Sequence, residues 1–272
     1  MTPNLGKRSR SMRRKINHYF WTRITTFFIM LIQKEMKLAD VIHHDYNLVP
    51  VINRFNIHLG FGEKSIEQIC DEKELNPEFF LTIINAYHDH QYFPKKHMQN
   101  FPASMLVGYL NKSHKYYTDK KLPELEGLIN KLKDESQLDD STFLLLRNFF
   151  LEYKNELQQH ILHEEDHVYP YVLELENAIY SGEISDKLRN KMDTYSIADY
   201  EKEHDNVEEK LYDLKNIIIK YLPESEDDSP CFSILKELFA LENDLNDHSR
   251  IEDMIMVPKV EAMEFTLKTI HK

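Results

Sequence analysis

One spaced pattern occurs twice in this chain. Leu157, His160, Glu164 and Pro170 recur with identical spacing as Leu245, His248, Glu252 and Pro258, 88 residues further on. On an α-helix four residues advance about 400°, so His160 and Glu164 differ by only ~40° and stand one turn apart. The same holds for His248 and Glu252. Each pair therefore presents an imidazole and a carboxylate to one point. Glu165 and Asp253, about 140° from their histidines on a straight helix, are expected to face elsewhere.

The surrounding sequence reads as long helices. Segments run over about 103–133, 140–180, 184–221 and 231–270, with polar or acidic breaks at 133–140, Ser181-Gly182 and Leu222-Pro223 onward. Short breaks between long helices predict an all-α, up-down-up-down four-helix bundle spanning about 104–270. Six glycines in 272 residues leave little material for a sandwich, a barrel or a Gly-rich phosphate loop.

The first and third segments each hold a placed histidine, His114 and His204, 90 residues apart. His114 lies 22 residues before Ser136, and His160 lies 22 after Leu138. His160 and His204 are each 22 from Gly182; His204 and His248 are 21 and 23 from Ser225. Equal distance from a shared turn means equal height in antiparallel helices, so all four histidines are expected in one layer.

His114, His160, Glu164, His204, His248 and Glu252 then make six N/O ligands. One zinc usually takes four, and calcium or magnesium would take oxygen. Six such ligands from four helices suit two first-row metals with the carboxylates as bridges. Two cysteines, Cys70 and Cys231, without CxxC spacing exclude a Cys-ligated cluster and a disulfide framework, and suit a reducing cytoplasm. His163 and His167 read as outlying groups. Tyr116, Tyr117, Tyr169 and Tyr171 read as packing, and Pro170 and Pro258 as bends past the ligands.

The net charge of −12 conceals a split: residues 1–37 hold nine Lys/Arg and one acid, so the remainder carries −20. An acidic body argues against nucleic-acid binding. Within 1–35 the clean apolar run Phe27–Ile32 is too short for a membrane span or a signal peptide. That stretch reads as a basic extension outside the fold, ahead of a start at Met36. Residues 38–87 read as a small helical domain, with helix starts at Ser65 and at Asn76-Pro77, and 88–103 as a linker.

The paired HxxxE-x5-P motifs with a lone His in each of the other two helices resemble the hemerythrin-like di-iron family, within it the type that repairs iron centres. HKYYTDKKLPEL at 114–125, EKEHD at 201–205 and DLNDHSRIEDMIMVPKV at 244–260 carry the same similarity. It covers about 104–262, and residues 38–87 resemble the small helical domain that precedes the bundle in such proteins. The resemblance implies two non-haem irons, carboxylate- and oxo-bridged, held by the six residues above. It implies repair of damaged iron–sulfur proteins under nitrosative or oxidative stress, with O₂ or NO as small ligands and a homodimer among the assembly states.

Alternatives from the same residues are an O₂/NO sensor, an NO-reducing enzyme, or a metal-free interaction bundle. The family's N-terminal domain typically carries an adjacent Cys pair before a Gly. Here that stretch reads His58-Leu59-Gly60-Phe61-Gly62, so a thiol-based role for it is not expected.

Overall fold

A computed structural model describes residues 31–135, 138–194, 197–224 and 227–270, without the side chains of 134–135, 198–206 and 270. The extension 1–30 lies outside the described residues. No strand occurs among those described, and none of their helices is long and apolar enough to cross a membrane.

Five short helices come first: α1 (Leu38–His44), α2 (Leu48–Asn53), α3 (Ile66–Glu72), α4 (Pro77–His88) and α5 (Lys95–Met98). The local chemistry sets their starts. Ser65 and Gln68 form a reciprocal capping box on α3, and Asn76 caps α4 with Pro77 in its first turn. Between α2 and α3, Gly60 and Gly62 adopt φ of +100° and +68°, backbone that a side-chain-bearing residue rarely takes.

Four rods follow. The first joins α6 (Ala103–Tyr116) to α7 (Leu122–Glu135); the second joins α8 (Asp140–His163) to α9 (Tyr169–Ser181). After the short α10 (Asp186–Thr194), the third rod is α11 (Ile197–Asn216) with its continuation to Tyr221. The fourth joins α12 (Ser229–Ile251) to α13 (Val257–Ile270). Packing gives the direction of each rod: α6 lies on α9, α9 on α13, α7 on α12 and α8 on α11. Successive rods therefore run antiparallel, as the short breaks predict.

Every rod contains one widened turn. Backbone bonds run to the fifth residue back at Leu122→Tyr117, Tyr169→Glu164, Leu222→Ile217 and Val257→Glu252. In each case the next residue is a proline: Pro123, Pro170, Pro223 or Pro258. In a regular α-helix a proline loses a hydrogen bond and its ring meets the carbonyl four residues back. A π turn leaves one carbonyl without its usual partner in any case, so the proline costs less there. The bends expected at Pro170 and Pro258 thus take the form of π turns that begin at Glu164 and Glu252.

The expected boundary at 88–103 is not a break in packing. α5 lies within it, Met98 and Phe101 are buried, and one apolar cluster runs from Ile32 through the N-terminal helices to Leu110, Tyr171 and Val260. Residues 32–272 form one compact unit. The expectation that the fold begins at Met36 also needs correction. Ile32 is buried and exchanges two backbone bonds with the Asn85 side chain, at 2.7 and 2.9 Å, and Lys34 accepts from the Glu67 amide. A carboxamide such as Asn85 donates and accepts at once, which lets it dock both polar groups of an incoming chain.

A second apolar cluster fills the other end of the bundle, from Tyr117 to Ile161 and from Val207 to Leu245. The two clusters meet at the layer of His114, Glu164, His248 and Glu252. A polar layer thus lies between two apolar cores.

Candidate metal centre

His114 sits near the end of α6, Glu164 begins the π turn of the second rod, and His248 and Glu252 flank the end of α12. One donor atom from each of these four lies within 4.8 Å of every other. All are buried: Glu164 and Glu252 are fully sequestered, and His114 and His248 nearly so.

The contacts are those of a shared point. Glu164 places Oε2 2.9 Å from His114 Nε2 and Oε1 3.0 Å from His160 Nε2. One carboxylate therefore spans imidazoles from two rods. His114 Nε2 lies 3.2 Å from His248 Nε2, and His248 Nε2 lies 3.4 Å from Glu252 Oε1. Two Nε2 atoms that face each other cannot both carry a proton, so at least one presents a lone pair to the layer, as a metal-ligating imidazole must.

His160 is more open than its partners, with a side chain 12% exposed, and faces the Glu164 oxygen that His114 does not. His204 lies on α11 and its side chain falls outside the described residues. Val207 and Glu208, three and four residues further along α11, line the same cavity as His114, His160, Glu164 and His248. That cavity holds about 20 Å³, space for one water-sized particle. Leu157, Ile161 and Leu245 give it apolar walls.

Electrostatics favour positive charge here. Burial alone would pull the pKa of His114 down, but hydrogen bonds to Glu164 and Glu165 and the charge of Glu164 and Glu252 outweigh it, pushing it up to about 9. Buried carboxylates are costly without a cation close by.

Two assignments from the sequence change. Glu165 does not face away: its Oε1 lies 3.1 Å from His114 Nδ1, fixing that ring from behind as ligating histidines are usually fixed. Tyr169 is not plain packing. Its hydroxyl donates to Glu252 Oε1 at 2.6 Å and lies 3.2 Å from His114 Nε2, and its ring stacks on His114 at 5.4 Å. Burial first, then the charges of Glu252 and Glu164, hold its pKa well above the ordinary phenol value, so it keeps its proton. The reason is the π turn. On a straight α-helix Tyr169 would lie ~140° from Glu164, whereas in a π turn the fifth residue stands above the first.

Glu208 also escaped the sequence reading, although His204-x3-Glu208 repeats the spacing of the two named pairs. His163 and His167 lie beside each other, rings 5.0 Å apart, and are not in the four-residue cluster. Tyr117 packs edge-on to His248 and donates to Asp244 at 2.8 Å; Tyr171 donates to Glu264 at 2.5 Å.

Comparison with known proteins agrees with this geometry. The chain is 18% identical over 230 residues to the iron-sulfur cluster repair protein ScdA of Staphylococcus haemolyticus, an overlap of 84% of this chain and 99% of that protein. The family model described as the hemerythrin HHE cation binding domain matches residues 109–260, more than half of the chain and the whole of the buried His/Glu layer. With its paired HxxxE motifs folded into one such layer, this chain belongs to the hemerythrin HHE cation-binding family.

Proposed function

We propose that this protein is a cytoplasmic non-haem di-iron protein that supports the repair of damaged iron–sulfur clusters. The observation that carries the di-iron reading is Glu164, whose two oxygens face imidazoles of different rods, His160 and His114. A carboxylate so placed suits a bridge between two ions. His160 and His204 would serve one ion and His114 and His248 the other, with Glu252 as the second carboxylate. Iron bound there supplies redox-active, Lewis-acidic positions for a small ligand. The protein's own part is to orient the donors, to hold His114 through Glu165, and to keep bulk water out with the two apolar cores. Repair as the purpose is supported by the similarity to the staphylococcal iron-sulfur cluster repair protein and by its near-complete overlap with this chain. The cytoplasmic setting is supported by two unpaired cysteines.

The test is metal content of the full chain made in iron-replete cells, followed by reactivation of a cluster enzyme damaged by nitric oxide or peroxide. Two irons per chain, with recovery that E164A cannot give, is the expected result. One zinc, or no metal, overturns the di-iron reading; two irons without recovery overturns the repair role alone.

The small cavity favours a second reading, a site that binds O₂ or NO for sensing or turnover. Tight NO binding without any effect on damaged clusters would select it.

A further inference from the structure

The two halves of the bundle are not equivalent at the metal layer. Five residues past Glu164 stands Tyr169, while five past Glu252 stands Val257. Both positions close a π turn, so both stand above their carboxylate. Only the second rod places a phenol there. That phenol reaches across the bundle to the carboxylate of the fourth rod, donating to Glu252 Oε1 at 2.6 Å, with its ring stacked at 12° on His114.

We propose that Tyr169 is a positioning residue that makes the two site carboxylates unequal. A carboxylate held by a short bond from a phenol on one oxygen is oriented before a cation arrives, so its other oxygen is presented to the layer without a reorientation cost. Tyr169 thus biases Glu252 toward metal binding through its other oxygen. The equivalent position in the fourth rod is Val257, which has no hydroxyl to offer Glu164, and the two oxygens of Glu164 face imidazoles. Glu164 is then the symmetric bridge and Glu252 the one-sided ligand. The stack on His114 adds rotational restraint to that ring, which Glu165 also grips at Nδ1.

This rests on the metal reading of the site, and the experiment separates the two. The full chain, stripped of metal, is titrated with Co²⁺, whose visible absorption reports coordination geometry. Wild type is expected to take up two Co²⁺. Y169F is expected to take up the same number with about tenfold weaker affinity and an altered visible spectrum. Y171F, whose hydroxyl serves Glu264, should match wild type. In an E252A background Y169F should lose most of its effect, because the phenol's short bond is to that carboxylate and its contact with His114 Nε2 is the longer one, at 3.2 Å.

Identical affinity and spectrum for Y169F and wild type overturns the assignment, as does an undiminished Y169F effect in the E252A background. No Co²⁺ uptake by wild type overturns the metal reading and the assignment with it. A second measurement needs no change at Tyr169. Co²⁺ uptake should perturb the near-ultraviolet absorption of a tyrosine in wild type and lose that signal in E252A; no such signal in wild type overturns the assignment.

Discussion

Arg54 and Asp244 meet at 2.5 Å although 190 residues separate them. Arg54 follows α2 and is almost wholly buried, with Nη1 donating to the hydroxyls of Tyr87 at 3.2 Å and Tyr109 at 3.1 Å. Asp244, on α12, also accepts from Tyr117, whose ring lies edge-on to His248. The N-terminal helices are thus tied through one buried ion pair to the helix that carries a candidate ligand. Removing one member of such a pair leaves an uncompensated charge in the interior and costs about 3–5 kcal/mol. R54M should therefore lower the urea midpoint substantially and weaken metal uptake at subdenaturing urea. An R54M midpoint equal to wild type would show that the pair does not join the two regions.

Pro170 and Pro258 invite a different test. Each follows a π turn that begins on a site carboxylate, and each lacks the N–H that would favour regular α register. P170A supplies that N–H and removes the ring clash, so α register becomes competitive over 164–168. Thermal stability should change little, within about 1 kcal/mol, because an alanine also favours helix. Metal affinity should fall by an order of magnitude or more, since Tyr169 and Glu165 rotate away from His114. Unchanged affinity in P170A would mean that packing, and not the proline, holds the wide turn.

The same turns explain what the sequence revealed and what it hid. The bundle, its break points and the layer of His114, His160, Glu164, His248 and Glu252 follow from spacing, because i, i+4 pairs and equal distances from turns survive a single wide turn. Contacts past that turn do not follow from it. Tyr169 reads as packing because straight-helix arithmetic turns it ~140° from Glu164. Glu165, turned ~140° from its own His160, instead meets His114 of the neighbouring rod. The one visible sign was a proline six residues past each π start. The joint core of the N-terminal helices was hidden for another reason. The polar residues of 88–103 conceal two anchors, Met98 and Phe101, that only tertiary packing makes apolar neighbours.

Glu176 on α9 tests how the first ligand helix is held. Its carboxylate accepts from the backbone N–H groups of Ala103 at 2.5 Å and Ser104 at 3.0 Å, the first residues of α6. These donors have no partner within their own helix, and a negative charge at a helix start is favourable. E176A should cost about 2–3 kcal/mol. E176Q, which keeps one acceptor oxygen, should recover part of it. Equal urea midpoints for E176A and wild type would show that another group takes over the cap.

Thiol chemistry offers the last test, because it bears on what the N-terminal helices do. Cys70 on α3 is fully buried, and burial with the nearby Asp71 charge pushes its pKa up to about 11. Cys231, in the first turn of α12, is partly exposed, and its pKa is raised by burial and by Asp228. The thiolate is the reactive form, so at pH 8 both are mostly thiol and only Cys231 is within reach of a reagent. Iodoacetamide on the native chain should therefore label Cys231 slowly and Cys70 only after denaturation. Raising the pH toward 10 should speed Cys231 in proportion to its thiolate and leave Cys70 protected. Where the family's Cys pair would stand, this chain has Gly60 and Phe61, and a cysteine at position 60 would be strained because Gly60 holds a positive φ of 100°. Rapid labelling of Cys70 in the native chain would reverse this conclusion and give the N-terminal helices a thiol to offer after all.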